Sequence, residues 1–363
     1  MRILILHDFF AVKGGAEHVA LTILEGLKPE HDVSLVTGYI NYSLFPELEN
    51  RSDIQALGND TNIKGWESLK MIWLFKHRTQ FITKYDLCIF SGIYSICASL
   101  STKPKASIYY CHTPPRFVYD LKQYYQKQAA LWQIPLLSYL RSVVRSHFER
   151  SILNMEHVLT NSINVQKRLQ FFLGIQSNVL YPPVETDNFQ WLGASDYYLS
   201  TARLEPYKRV DLIVQAFMKM PDRKLIVTSS GRMLPYLKKL AINSKNIHFT
   251  DWTNSTQLQE LMGRCIATVY IPLNEDFGIS PVESMAAGKP VIGVFEGGIQ
   301  ETVVHQRTGI LLQPPPTIEG IRKAVFSLDK KSRLQLKEQC EKRASAFNTN
   351  IFLKNINNMI AKL

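Results

Sequence analysis

The chain has 363 residues, 45% apolar and 20% charged, which excludes a disordered or low-complexity protein and suffices for two domains with separate hydrophobic cores. Its net charge of +11 comes without any helix-turn-helix, RRM, KH or zinc-finger pattern, so nucleic acid is not expected, and anionic membrane and diphosphate ligands account for the charge better. The five cysteines, Cys88, Cys97, Cys111, Cys265 and Cys340, are scattered and odd in number with no CxxC, which argues against a disulfide framework or a zinc site.

MRILILHDFF has one basic residue and an apolar run too short for a signal peptide, and it reads as the first strand. Gly14 and Gly15 follow on the next loop. They either let phosphate or acceptor approach the backbone closely, with a helix from Ala16 supplying its positive end, or make a plain strand-to-helix turn. DVSLVTG, LCIFSG and SIYYCH are further strands. Residues 64–84 interleave Lys64, Lys70, Lys76, Arg78 and Lys84 with Trp66, Trp73 and Phe75, without a clean helical stripe. The apolar stretch AALWQIPLLSYL, 129–140, is broken by Pro135 and ends at Arg141, short of the roughly 20 residues that cross a bilayer. Leu137, Leu140, Val144 and Phe148 share a helical face beside Arg141 and Arg145; this fits a helix lying on a membrane surface and equally a core helix with snorkelling arginines.

Two prolines in YPPVETDNF, 181–189, interrupt the alternation and read as an interdomain linker. A fresh series follows: YYLSTAR, KLIVTSS, IHFTDW, CIATVYIP and PVIGVF. Strands alternating with helices predict parallel sheets covered on both faces, in domains at 1–183 and 184–345 followed by a helix at 346–363. Doubly wound domains bind ligands at the carboxyl ends of their strands, so the active site is expected in a cleft between the two.

The most informative residues are 275–283, EDFGISPVE. Ser280 fits an N-cap, Pro281 the first helical position and Glu283 a capping-box partner, predicting a helix over 281–287 that Gly288 ends in a left-handed conformation. A helix start presents unpaired N–H groups and the positive end of the dipole. With Gly278 allowing close approach, a diphosphate can bind there without a side-chain cation.

These residues do not stand alone. E-x7-E (Glu275, Glu283) enclosing F-G, R-L-E-P-Y-K at 203–208, C-H-T-P-P-R at 111–116, G-G-A-E at 14–17 and E-G-G-I-Q-E-T at 296–302 occur in an order that resembles retaining GT-B glycosyltransferases of family 4. The likeness is nearest to bacterial mannosyltransferases of polysaccharide and O-antigen assembly, and H-T-P-P-R points to that branch. The resemblance implies an α/β GT-B fold of two Rossmann-like domains, with the C-terminal helix crossing back to the first. It implies transfer of a hexose, mannose from GDP-mannose, to a lipid-linked or polysaccharide acceptor. It places the enzyme in the cytoplasm, peripheral on the inner face of the membrane.

Such a reaction needs charge stabilisation for the departing diphosphate and a hold on an oxocarbenium-like sugar. Arg203 and Lys208 follow YYLSTAR on a loop and supply two cations for the leaving oxygen, each such preorganised group being worth ~3–4 kcal/mol. The resemblance implies that Glu275 accepts hydrogen bonds from sugar hydroxyls and that the backbone N–H groups of Phe277, Gly278 and Ile279 meet sugar and phosphate oxygens. It further implies that Glu283 holds the ribose while His112 orients the donor sugar without acting as a base, and that backbone atoms near Trp252 hold the nucleobase. Gly297 and Gly298 form another turn, functional or structural. No D-x-D motif is placed to hold a diphosphate through Mg²⁺, so no metal or other cofactor is expected beside the sugar-nucleotide co-substrate. One departure is VTSSGRMLP at 227–235, where many relatives are glycine-rich and this chain has Gly231 alone, which leaves the phosphate contacts of that loop open. Alternatives are a GT-B epimerase, a phosphorylase, for which no pyridoxal lysine is marked, and a non-catalytic sugar-nucleotide-binding subunit of an assembly complex.

Overall fold

The computed structural model describes residues 1–59, 66–251, 253–328 and 330–363, with the side chains of 330–334 outside the description. The chain divides into two compact units, Met1–Tyr181 with Leu353–Leu363, and Pro182–Phe352.

In the first unit the strands are β1 (Arg2–His7), β2 (Asp32–Thr37), β3 (Ile54–Ala56), β4 (Leu87–Ser91), β5 (Ser107–Cys111), β6 (His157–Thr160) and β7 (Asn178–Val179), in the all-parallel order 3-2-1-4-5-6-7. Ile3, Leu4, Ile5 and Leu6 on β1 are all sealed from solvent, as a strand covered on both faces requires. Fully burying each side chain of this kind contributes about 1.5–3 kcal/mol. The order reverses between β1 and β4, and the carboxyl ends of those strands open on a switch point.

The second unit repeats the plan with β8 (Tyr197–Ser200), β9 (Lys224–Thr228), β10 (Ile247–Asp251), β11 (Thr268–Val269), β12 (Val291–Val294) and β13 (Gly309–Leu312), parallel in the order 10-9-8-11-12-13. Its switch point lies between β8 and β11. The run CIATVYIP yields only two paired residues, because the chain leaves the sheet after Val269.

Two local expectations are corrected. The helix read over 281–287 runs Ile279–Ala286 and is capped by Gly278 at φ 92°; Ser280 is inside it, with its hydroxyl bonded to that of Thr201, so the Ser280–Glu283 capping box does not form. Pro281 is tolerated in this first turn because the N–H it lacks would have no intrahelical partner there. Gly288 does end the helix, at φ 68°. The second correction concerns the basic face at 137–148. Val144 and Phe148 enter the core of the helix Ile134–Ile152, and Arg141 goes with them, donating from Nε to the Phe117 carbonyl (2.9 Å) and from Nη2 to the Lys122 carbonyl (2.6 Å). Arg141 is a buried clamp on the preceding segment, while Arg145 is exposed and paired with Glu149 at 2.7 Å. Lys64 lies outside the described residues. In the neighbouring helix Trp66–His77, Met71, Ile72, Leu74 and Phe75 face inward. All five cysteines are buried and none is in a disulfide.

Candidate functional site

In the second unit the loops after β8 and β11 meet. Lys208 Nζ lies 2.6 Å and 2.8 Å from the two carboxylate oxygens of Glu275, and the Tyr270 hydroxyl donates to Glu275 Oε1 at 3.1 Å. The pair is nearly out of water, the Lys208 side chain being 8% and Glu275 15% exposed. Burial works against the charge on Lys208, but the Glu275 carboxylate beside it outweighs burial and raises its pKa above the ordinary lysine range. Tyr270 is held protonated by burial and by the same carboxylate. Arg203 is exposed on the loop, near enough to act on Lys208 by its charge, and makes no ion pair among the described residues.

A second ion pair runs parallel to the first, Arg209 Nη1 to Glu296 Oε1 at 2.5 Å. The backbone completes the junction: Leu273 N–H donates to the Tyr207 carbonyl (2.7 Å) and Gly298 N–H to that of Glu275 (2.7 Å). Gly297 stands at φ 63°, and a Cβ there would come within 2.5 Å of the backbone N and O of Glu275. Gly298 is as crowded by Asp276 and Phe277. These two glycines are therefore the floor under the Glu275 loop. Gly231 is explained in the same way, since its Cβ would strike the Leu204 backbone, against which the 230–233 turn braces the Arg203–Lys208 loop.

Downstream, Gly278 caps the helix and Phe277 is buried against Phe347, with ring centroids 5.4 Å apart, so this backbone is fixed. Glu283 is half-buried, and among the described residues nothing donates a hydrogen bond to it. Burial, with Glu185 nearby, pushes its carboxyl up to about 7. A carboxylate kept out of water without a donor is poised for hydroxyls from a ligand.

In the first unit, strand register does the assembling. His7 pairs with Ser91 across β1 and β4, and Ser91 with Tyr110 across β4 and β5. The Ser91 hydroxyl consequently bridges two histidines, 3.1 Å from His7 Nδ1 and 2.8 Å from His112 Nε2. Burial and the neighbouring His112 push His7 down to about 3, so it is neutral at pH 7. Beside it, Asp8 accepts the backbone N–H groups of Ile93 (2.6 Å), Tyr94 (2.8 Å) and Ser95 (2.8 Å), and burial still holds its carboxyl up to about 6. The H-T-P-P-R segment is clamped by Asp120, which takes Arg116 (2.9 Å) and Arg168 (2.8 Å), the latter also donating to the Thr113 hydroxyl. Gly14 is an extended N-cap of the helix Gly15–Leu27, packed close to Glu17.

Thus Lys208, Glu275 and Tyr270 come together, with Arg203 acting on Lys208 by charge; Phe277, Gly278, Ile279 and Glu283 follow in one loop and helix, and His112 and Gly14–Gly15 belong to the other unit. Trp252 lies outside the described residues. Sequence reasoning missed His7, Asp8, Ser91, Tyr270 and the Arg209–Glu296 pair. Asp8 and Tyr270 had a local signal, a place just past a strand end.

The glycosyl transferases group 1 family matches residues 186–346. The alpha-1,3/1,6-mannosyltransferase ALG2 of Dictyostelium discoideum is 26% identical over 328 residues, 77% of this chain and 76% of that protein. Among solved structures, Anabaena HepE in complex with UDP and glucose superposes with a TM-score of 0.76 at 18% identity over 99% of both chains. Sucrose-phosphate synthase from Thermosynechococcus elongatus gives 0.79 at 17% identity, over 99% of this chain and 98% of that one. Residues 186–346 thus match a glycosyl transferases group 1 domain, and the two parallel sheets are those of the GT-B fold that the solved neighbours share.

Proposed function

We propose that the protein moves mannose from GDP-mannose, with retention of configuration, to a lipid-linked or polysaccharide acceptor in cell-surface glycan synthesis. The observation that carries this reading is the buried Lys208–Glu275–Tyr270 network at the switch point of the second sheet, one loop before a glycine-capped helix that bears Glu283, to which nothing among the described residues donates. The likeness to ALG2 mannosyltransferases supports the sugar.

In this reading Lys208 and Arg203 meet charge developing on the leaving diphosphate, in a site dry enough for that charge to count. Lys208 and Tyr270 also fix the Glu275 carboxylate, which takes the sugar hydroxyls. Backbone N–H groups of Phe277, Gly278 and Ile279 meet oxygens of the donor, and Glu283 the ribose. His112, oriented through Ser91, steadies the sugar. The cations do the work a bound metal would otherwise do. The enzyme acts at the inner face of the cytoplasmic membrane as a peripheral protein; no helix among the described residues is long and apolar enough to cross a bilayer.

Incubating purified protein with GDP-, UDP-, dTDP- and ADP-sugars and following donor hydrolysis tests the reading. GDP-mannose should be turned over fastest. A faster UDP-sugar would overturn the mannose assignment, and no hydrolysis or transfer with any donor would overturn the enzyme.

A further inference from the structure

The segment between Lys122 and Tyr139 stands off the core of the first unit. The helix Lys122–Gln128 buries no side chain, the turn Leu131–Gln133 buries none, and the helix Ile134–Ile152 buries none before Arg141. Leu131 is 86% exposed, Trp132 75%, and Leu136 and Tyr139 61% each. Leu136 and Tyr139 share a helical face, and Trp132 precedes Leu136 by one turn. Single exposed apolar residues are ordinary; four large ones within nine residues mark an interaction surface.

Charge decides what covers it. From Leu121 to Phe148 the sequence has Lys122, Lys127, Arg141, Arg145 and His147 and not one aspartate or glutamate. Arg141 is turned inward and Arg145 is paired with Glu149, which leaves the exposed Lys122 and Lys127 as the charges of the ridge. An apolar ridge carrying Trp and Tyr and flanked by lysines is complementary to a bilayer with a negative surface. The aromatic rings settle at headgroup depth, the leucines enter the acyl boundary, and the lysines meet phosphates. A second copy of the chain fits poorly, because facing ridges would crowd lysines together with no carboxylate between them.

We propose that Leu131, Trp132, Leu136 and Tyr139 insert into an anionic membrane surface with Lys122 and Lys127 at the headgroups. This rests on the peripheral placement proposed above and names the surface responsible. The ridge is rigidly joined to the His112 loop: Arg141 clamps the Phe117 and Lys122 carbonyls, and Asp120 ties Arg116 and Arg168 beside Thr113. Docking therefore sets the height of His112 above the bilayer, where an acceptor whose lipid stays in the membrane presents its sugar.

The test is co-sedimentation of the full chain with phosphatidylcholine vesicles, with and without phosphatidylglycerol. Wild type should bind the anionic vesicles. Replacing Leu131, Trp132, Leu136 and Tyr139 together with glutamine should lower the partition coefficient at least ~100-fold. The pair Lys122→Gln and Lys127→Gln should lower it ~10–30-fold at low salt and little at high salt. Brominated acyl chains should quench tryptophan fluorescence in wild type and far less in Trp132→Phe, which serves if the fourfold variant is poorly folded. Donor hydrolysis should stay within about twofold in every variant. Wild type that ignores anionic vesicles at low salt, a fourfold variant that still sediments, or a lipid-free dimer dissolved by the same substitutions would overturn the proposal. Vesicle binding without hydrolysis of any donor would instead count against the transferase reading and leave the ridge standing.

Discussion

At the switch point of the first sheet a serine hydroxyl links two imidazoles, His7 to Ser91 to His112; at that of the second the polar groups form an ion pair, Lys208 to Glu275, with a tyrosine on the same carboxylate. Both sit at strand carboxyl ends, and both are largely out of water. The first holds a neutral His7, pushed down to about 3, whereas the second keeps a protonated lysine against the cost of burial. A hydroxyl held between two rings fixes their orientation, and an ion pair adds field where charge must move. In the proposed function His112 accordingly takes the orientation of the sugar, and Lys208 the charge of the leaving group.

The largest effect should come from breaking the charged cluster. Lys208→Ala and Glu275→Ala are each expected to cut turnover at least about a hundredfold. Removing one partner strands the other in a dry site, so each single variant should also lose stability. The double variant Lys208→Met with Glu275→Gln should recover stability in thermal melts and remain inactive. Turnover within about threefold of wild type for both alanine variants would dissolve the contrast.

Glu283 gives a smaller and pH-dependent signal. Its carboxyl is raised from 4.5 to about 7 in the folded chain, so its contribution to stability is present below pH 4.5 and is lost as pH rises through 7. Donor binding runs the other way, because ribose hydroxyls need the ionised acceptor. The donor KM should fall about tenfold between pH 6 and 8, as the competent fraction grows from about a tenth to nine tenths. Glu283→Gln should raise KM with little change in kcat and flatten this dependence. A pure kcat effect would contradict the ribose role.

The His7–Ser91–His112 cluster should respond more weakly. Ser91→Ala is expected to lower kcat about fivefold with KM within about twofold, and to add nothing in a His112→Ala background, since the hydroxyl acts through that ring. Full additivity of the two substitutions would make Ser91 merely structural. The smallest effect is none at all: EDTA should leave the rate unchanged, with Arg203 and Lys208 supplying the charge, and a loss restored by Mg²⁺ or Mn²⁺ would expose a missing ligand set.

The same contrast explains what could be read in the chain. R-x4-K and E-x7-E place their charges on short loops next to strand ends, and the family resemblance those motifs carry singled out Lys208 and Glu275, which the fold brings together. His7, Ser91 and His112 are 84 and 21 residues apart and meet only through strand register, which no local pattern records. Parallel sheets followed from runs such as RILILH, yet β7, with two residues, is too short to announce itself, and the run read as β11 pairs over only two of its residues. Ser280 misled because a serine before a proline is a strong cap signal, whereas a left-handed glycine two residues earlier had already started the helix. Arg141 misled because amphipathic spacing cannot tell a snorkelling arginine from one drawn inward by two open carbonyls.

Gly297 and Gly298 touch the Glu275 loop only through backbone, yet they hold a veto over it. A single methyl at 297 would act as a wedge under Glu275, prying its carboxylate off Lys208 while every side chain of the cluster stayed as it was. The chain can thus be silenced from a position with no chemistry of its own. Variation at these two glycines should read out as lost turnover rather than altered donor choice.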